Sequence, residues 1–301
     1  MNRFKVLVTT TSFQDSPGRH HDLLAEQDWD ITFMRGPLKE SELYEIIGKY
    51  DGVLCGDDEY SRKILKKGSE GRLKCLSKYG VGLDKIDTAA AKEYKVSVTN
   101  CPGINQNSVA EHVLALVLAF EKNICEQHNF VQKGIWKRLV GREIKGKTIG
   151  VIGLGFIGKE ISIIMSRFGL TVLAYDITID EEFIQKNSNV KNVSLEFLIK
   201  NSDYISLHLP LNVKTKGFIN KKLISKMNPD VLIINTARGE LIDKKDMIDA
   251  LEEKTSRGYL CDVLDVEPVE PDEKLLGMQD VIITPHVGSR TKENIVNQGI
   301  K

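Results

Sequence analysis

Hydrophobic and polar positions along the chain fall into two successive series of short apolar runs separated by helix-like stretches. In the first series the runs lie at 5–9, 31–34, 53–55, 73–77 and 96–99, with helical patterns such as 41–47 and 86–94 between them. Runs that are apolar throughout, alternating with helices, predict parallel strands covered on both faces. The Cys101-Pro102-Gly103 break then predicts a crossover between domains. Beyond it, Ser108 stands three residues before Glu111, the spacing of a capping box, ahead of a helix over 109–121. That helix is apolar nearly all round, which predicts burial between domains or subunits. The second series places strands at 148–152, 171–175, 204–207, 231–235, 259–262 and 281–284, the strand count of a doubly wound dinucleotide fold. A last helix within 289–301 is expected to return to the first domain.

Composition narrows the class. The 301 residues suit two domains. Forty-two basic residues balance forty-two acidic ones, so no bulk field draws the chain to nucleic acid or to an anionic membrane. The longest apolar stretch, 113–120, is too short to span a bilayer. Five scattered cysteines, Cys55, Cys75, Cys101, Cys125 and Cys261, form no CxxC pair. They predict reduced thiols in a cytoplasmic protein and no metal site.

The strongest local signal is Gly153-Leu-Gly155-Phe-Ile-Gly158, directly after one expected strand and before an amphipathic stretch at 159–168. Gly153 would allow a tight turn and Gly155 a close approach of backbone to pyrophosphate. Gly158 would let the helix pack on its strand, with the phosphates at the helix N-terminus. Asp176, at the end of the next strand, is placed to accept hydrogen bonds from ribose hydroxyls. Ile177 and Thr178 supply no cation for a 2′-phosphate, so the expected cofactor is NAD and not NADP.

Hydride exchange between an alcohol and a ketone also needs a proton carrier, a group that holds it, and a cation for the substrate carboxylate. In an open α/β sheet these belong at the carboxyl ends of strands. Arg238 follows the run at 231–235, Glu267 follows 259–262, and His286 follows 281–284. Arginine presents a planar fork suited to a carboxylate, and histidine is the natural proton carrier near neutrality. Read singly, each also has a structural explanation, as a surface arginine, a loop glutamate or a capping histidine. His208 is expected to line the cofactor cleft without transferring protons, and His112 to be a packing or interface residue. His20 and His21 form no metal constellation.

The strings GLGFIG (153–158), NTARGELID (235–243), DVLDVEP (262–268), TPHVGS (284–289), KYGVGLDKID (78–87) and NSVAEH (107–112) closely resemble signatures of the D-isomer specific 2-hydroxyacid dehydrogenase family. The resemblance covers nearly the whole chain. It implies an α/β fold of two Rossmann-like domains with doubly wound parallel sheets. An NAD domain, 101–285, would be inserted into a flavodoxin-like substrate domain, 1–100 plus 286–301. It further implies Arg238, Glu267 and His286 as the catalytic set, and a homodimer using the helix after Asn107. The substrate is expected to meet Lys78, Val81, Gly82, Arg238 and His286. The cofactor is expected to meet Gly153, Gly155, Phe156, Ile157, Gly158, Asp176, His208, Pro210, Thr236, Ala237, Asp262 and Gly288.

Within the family, LSKYGVGLDKID is most similar to phosphoglycerate dehydrogenases, which implies oxidation of 3-phospho-D-glycerate in serine biosynthesis. Those enzymes usually carry arginine at the position of Lys78, so a lysine there would meet a phosphate as a point charge without the bidentate fork. Reduction of glyoxylate or hydroxypyruvate, or a D-lactate type activity, remains open, as does an NADH-sensing, corepressor-like binding protein. Glu267 in place of glutamine argues against the formate dehydrogenase branch. No serine-sensing regulatory module is expected in this chain. It stops soon after His286, where the family usually continues its last helix, so an early end or a truncation is expected.

Overall fold

The computed structural model describes residues 3–301. The chain divides into two compact units, one reaching Asn105 and including Arg290–Lys301, the other Gln106–Ser289.

The first unit is built on five parallel strands: β1 (Phe4–Val8), β2 (Trp29–Phe33), β3 (Gly52–Cys55), β4 (Cys75–Lys78) and β5 (Ser97–Thr99). Their order is β2-β1-β3-β4-β5, the flavodoxin arrangement, whose strand order reverses between β1 and β3. Successive side chains of a strand point to opposite faces, and both faces here are covered. Leu7, Val53 and Leu76 pack with Leu43, Ile64 and Leu65 on one side. Val6 and Val8 pack with Phe13, Tyr79 and Ile295 on the other. Ile295 belongs to the helix Lys292–Ile300, whose N-cap Thr291 accepts the Asn294 N–H. The Tyr79 hydroxyl donates to the Ile295 carbonyl at 2.6 Å. The last helix is therefore part of this unit's core.

The second unit carries seven parallel strands: β6 (Thr148–Ile152), β7 (Thr171–Tyr175), β8 (Val190–Asn192), β9 (Tyr204–Leu207), β10 (Leu232–Asn235), β11 (Gly258–Cys261) and β12 (Val281–Ile283). The order β12-β11-β10-β9-β6-β7-β8 is the doubly wound dinucleotide pattern with an added edge strand. It has one strand more than the six expected, because β8 buries only Val190 and leaves no periodicity to read. The helix Gln106–Glu121 packs Ala110, Val113, Leu116 and Val117 against Ile149, Val151 and Ile234 of the sheet and Ile161 and Met165 of the helix Phe156–Arg167. The helix starts at Gln106, so Ser108 lies inside its first turn and is not the N-cap that the Ser108–Glu111 spacing suggested.

The division falls at Asn105 and Ser289 rather than at 100 and 285. Side-chain and backbone hydrogen bonds explain both shifts. Cys101 N–H donates to Gly80 O at 2.8 Å and Lys301 Nζ to Pro102 O at 2.6 Å, which keeps the crossover segment with the first unit. At the other end, Val287 and Gly288 donate their amides to Asp262. His286 therefore belongs to the second unit and not, as the sequence suggested, to the C-terminal return.

Candidate active site

The switch in strand order between β6 and β9 is where a doubly wound sheet opens a crevice at its carboxyl edge. The glycine loop lies there. Gly153 has φ +99°, and a Cβ on it would sit 2.6 Å from the His208 carbonyl oxygen beyond β9. A Cβ on Gly158 would lie 1.9 Å from Gly153 O, so only glycine lets the helix Phe156–Arg167 rest on the loop. A Cβ on Gly155 would meet nothing within 4 Å, leaving open space beside its backbone. Gly155 is the N-cap and supplies no side-chain cap, so the first-turn amides keep their capacity for an anion. Phe156 is exposed and Ile157 half-buried.

Asp176 follows β7 and accepts the Leu154 N–H at 2.6 Å and the Thr178 N–H at 3.0 Å. One amide on each oxygen fixes the carboxylate and leaves lone pairs for ribose hydroxyls. Ile177 beside it is 92% exposed and offers no charge for a 2′-phosphate. The Thr236 hydroxyl, after β10, is buried with no hydrogen-bond partner, a polar group that a bound ligand would satisfy. This open, amide-rich edge with an acidic residue at the tip of the second strand fits NAD. Pro210 lies exposed in the loop after β9.

Arg238, Glu267 and His286 follow β10, β11 and β12, three adjacent strands of one sheet. Buried Asn235 shapes the first of these loops, since its Nδ2 donates to Arg238 O at 2.8 Å and its Oδ1 accepts the Ala237 N–H at 3.1 Å. The guanidinium of Arg238 donates to Ala237 O. Glu267 Oε1 accepts the Leu264 N–H at 2.9 Å, and Oε2 lies 2.8 Å from His286 Nδ1. Nδ1–H donates to the carboxylate, which leaves Nε2 as the nitrogen that can exchange a proton. His286 adopts φ +53°, the left-handed region that side chains with a Cβ rarely occupy.

His208 is different. Its Nε2 is 2.8 Å from Ser206 Oγ, and burial pushes its pKa down to about 3. It stays neutral at physiological pH and suits no acid role. Asp262 is buried and accepts Thr284 Oγ1–H at 2.5 Å together with the Val287 and Gly288 amides at 2.9 and 2.7 Å. Burial alone would raise its pKa, but hydrogen bonds from His112, Thr284, Val287 and Gly288 outweigh that and hold it below the usual carboxylate value. The carboxylate that the sequence assigned to cofactor contact is therefore engaged with its own loop.

In the first unit, Lys78 ends β4 with its side chain only 9% exposed. It donates to Gly56 O and pairs with Asp57 Oδ1 at 2.9 Å. Asp57 was not singled out from the sequence, because an acidic loop residue carries no pattern. Val81 is exposed, Gly82 half-buried, and the Val81 carbonyl accepts Asn100 Nδ2–H at 2.7 Å.

A family model described as D-isomer specific 2-hydroxyacid dehydrogenase, NAD binding domain, matches residues 114–288. The D-3-phosphoglycerate dehydrogenase of Synechocystis sp. is 34% identical over 266 residues, covering 87% of this chain and 47% of that protein. The hydroxypyruvate reductase of Thermotoga maritima is 37% identical over 284 residues, covering 93% of this chain and 90% of that one. The chain spans about half the length of the curated phosphoglycerate dehydrogenases it matches, 42% to 54%. Among solved structures, the NAD+-bound 3-phosphoglycerate dehydrogenase of Entamoeba histolytica superposes with a TM-score of 0.81 at 29% identity, over 99% of this chain and 92% of that one. With the match to the family model spanning more than half its residues, and a relative of similar length at 37% identity, the chain belongs to the D-isomer specific 2-hydroxyacid dehydrogenase family.

Proposed function

We propose that the protein is an NAD-dependent D-2-hydroxyacid dehydrogenase in which His286 carries the proton. The observation that carries this reading is the 2.8 Å pair between His286 Nδ1 and Glu267, at the carboxyl edge of the sheet that bears the glycine loop. When bound, NAD supplies the acceptor or donor of hydride at the substrate's C2. Nε2 of His286 takes the C2 hydroxyl proton during oxidation, and returns it during reduction. Glu267 holds the ring and stabilises its protonated form, while Arg238 orients the substrate carboxylate through its planar fork. Lys78 with the backbone at Val81 and Gly82 is the proposed substrate-recognising edge of the first unit.

For the substrate there are two readings, and the setting of Lys78 supports one of them. Its charge is already met by Asp57, so a phosphate would have to displace a carboxylate. That favours a small unphosphorylated acid, such as the hydroxypyruvate or glyoxylate named for relatives in Thermotoga maritima and Thermofilum pendens. The names of the phosphoglycerate dehydrogenase relatives support the second reading, 3-phospho-D-glycerate and a place in serine biosynthesis. A homodimer is part of the proposal. Next to the helix Gln106–Glu121, the helix Ile124–Gln132 and the segment after it expose Ile124, Trp136 at 82% and Val140 at 95%, apolar surface of the kind that oligomers cover. Five free thiols fit a cytoplasmic setting. Among the described residues, no helix is long and apolar enough to cross a membrane.

His286→Ala tests the assignment. Turnover is expected to fall about 10²- to 10⁴-fold, with NADH binding, followed by fluorescence, retained. Full turnover in that variant would overturn the role of His286.

A further inference from the structure

One buried residue holds the loop that carries His286. The Asp262 carbonyl accepts the His286 N–H at 2.8 Å, its Oδ1 accepts the Val287 N–H at 2.9 Å and its Oδ2 the Gly288 N–H at 2.7 Å. Three consecutive amides thus converge on a single aspartate, with His286 at φ +53° as the first of them. A left-handed residue with a Cβ keeps that conformation only where its surroundings hold it.

The carboxylate must itself be aimed, and its partner comes from the helix Gln106–Glu121. Thr284 Oγ1 lies 2.5 Å from Asp262 Oδ1 and 2.9 Å from His112 Nε2. A hydroxyl has one proton, and an ionised carboxylate can only accept. Thr284 therefore gives its proton to Asp262 and accepts from His112, which fixes Nε2 as the protonated nitrogen. His112 Nε2 also stands 3.4 Å from Asp262 Oδ1. The relay runs from His112 through Thr284 to Asp262, which then gathers the amides of 287 and 288.

We infer that His112 is a positioning residue. By anchoring Thr284 and Asp262, it sets the left-handed turn that presents the His286 imidazole to Glu267 on one side and to substrate on the other. This rests on the proposed role of His286 as proton carrier. His112 touches neither Glu267 nor His286 in the hydrogen bonds described above, so its effect on the reaction passes through the loop. A catalytic group displaced by about 1 Å loses on the order of 10²-fold in rate.

The test compares His112→Ala, His112→Gln and Thr284→Val by hydrogen exchange of the peptide spanning 284–289 and by reduction of a 2-keto acid at saturating NADH. The expected result for His112→Ala is faster exchange confined to that peptide and a kcat lower by about 10- to 100-fold. Glutamine at 112, which retains a donor, is expected to recover much of both. Adding Thr284→Val to His112→Ala should cost little more than either alone, because both break one relay. Unchanged exchange and kcat in His112→Ala would overturn the inference, and so would equal losses for glutamine and alanine. If His112→Ala loses protection throughout the chain, Thr284→Val decides the matter by the same two readouts. A wild-type protein that binds NADH yet reduces no acid would defeat the proton-carrier reading, while the exchange measurement would still decide whether His112 holds the loop.

Discussion

Asp51 sits buried just before β3 and accepts the Lys5 N–H at 3.0 Å and Arg72 Nη2–H at 2.6 Å, with Lys74 Nζ 3.2 Å away. Burial alone would raise its pKa, but the Lys5 amide, Arg72 and Lys74 more than offset that and bring it from 3.8 to about 2. A folded-state pKa below the unfolded one stabilises the protein above about pH 4, and that contribution is lost as the pH falls through 2. At 1.36 kcal/mol per pKa unit the shift amounts to about 2 kcal/mol. Asp51→Asn is therefore expected to lose about that much in urea unfolding at pH 7, with the gap to wild type closing toward pH 2; a gap independent of pH would exclude this origin. The histidines show how far single residues were legible. His286 and His208 both follow expected strands, and the motifs around them lead to different expected roles. The physical basis of that difference is three-dimensional: a carboxylate at 2.8 Å for one, burial beside Ser206 for the other. His112, read as packing, needed the fold to bring Thr284 to it across 172 residues of chain.

At the level of elements, the glycine loop was legible because its constraint is local. A tight turn, a close approach and a helix N-terminus all fall within six residues; Gly153 and Gly158 meet the backbone contacts their positions imply, and the space beside Gly155 is open. Gly153→Ala adds a Cβ 2.6 Å from His208 O at φ +99°. It is expected to cost roughly 1–3 kcal/mol in thermal stability and to abolish NADH binding in a fluorescence titration; normal NADH affinity would contradict the loop's assignment. Strands buried on both faces announced themselves by unbroken apolar runs, as in β6 and β10. Short edge elements did not, and β8 with its one buried residue was missed. The strand expected at 73–77 is β4, Cys75–Lys78. Leu73 is buried, but its amide bonds Gly68 O and closes the preceding helix. Lys78, the last residue of β4, is buried and pairs with Asp57, which no hydrophobic pattern encodes.

On the scale of the whole molecule, each unit has its own core, and the last helix supplies Ile295 to the first. The split architecture followed from the return of that helix, whereas the ends of the inserted unit depended on hydrogen bonds at Cys101, Val287 and Gly288 that the sequence does not display. The exposed Ile124, Trp136 and Val140 predict a dimer in sedimentation velocity at micromolar concentration. A monomer there would leave that apolar surface unexplained. Hydride transfer between NAD and a D-2-hydroxy acid is tested by NADH consumption by the purified protein with glyoxylate, hydroxypyruvate, pyruvate and 3-phosphohydroxypyruvate, with the chirality of the product determined. The expected result is turnover on an unphosphorylated keto acid, yielding the D-hydroxy acid wherever the product is chiral, and little with NADPH. Tight NADH binding without turnover on any of these acids, or an L-product, would contradict it.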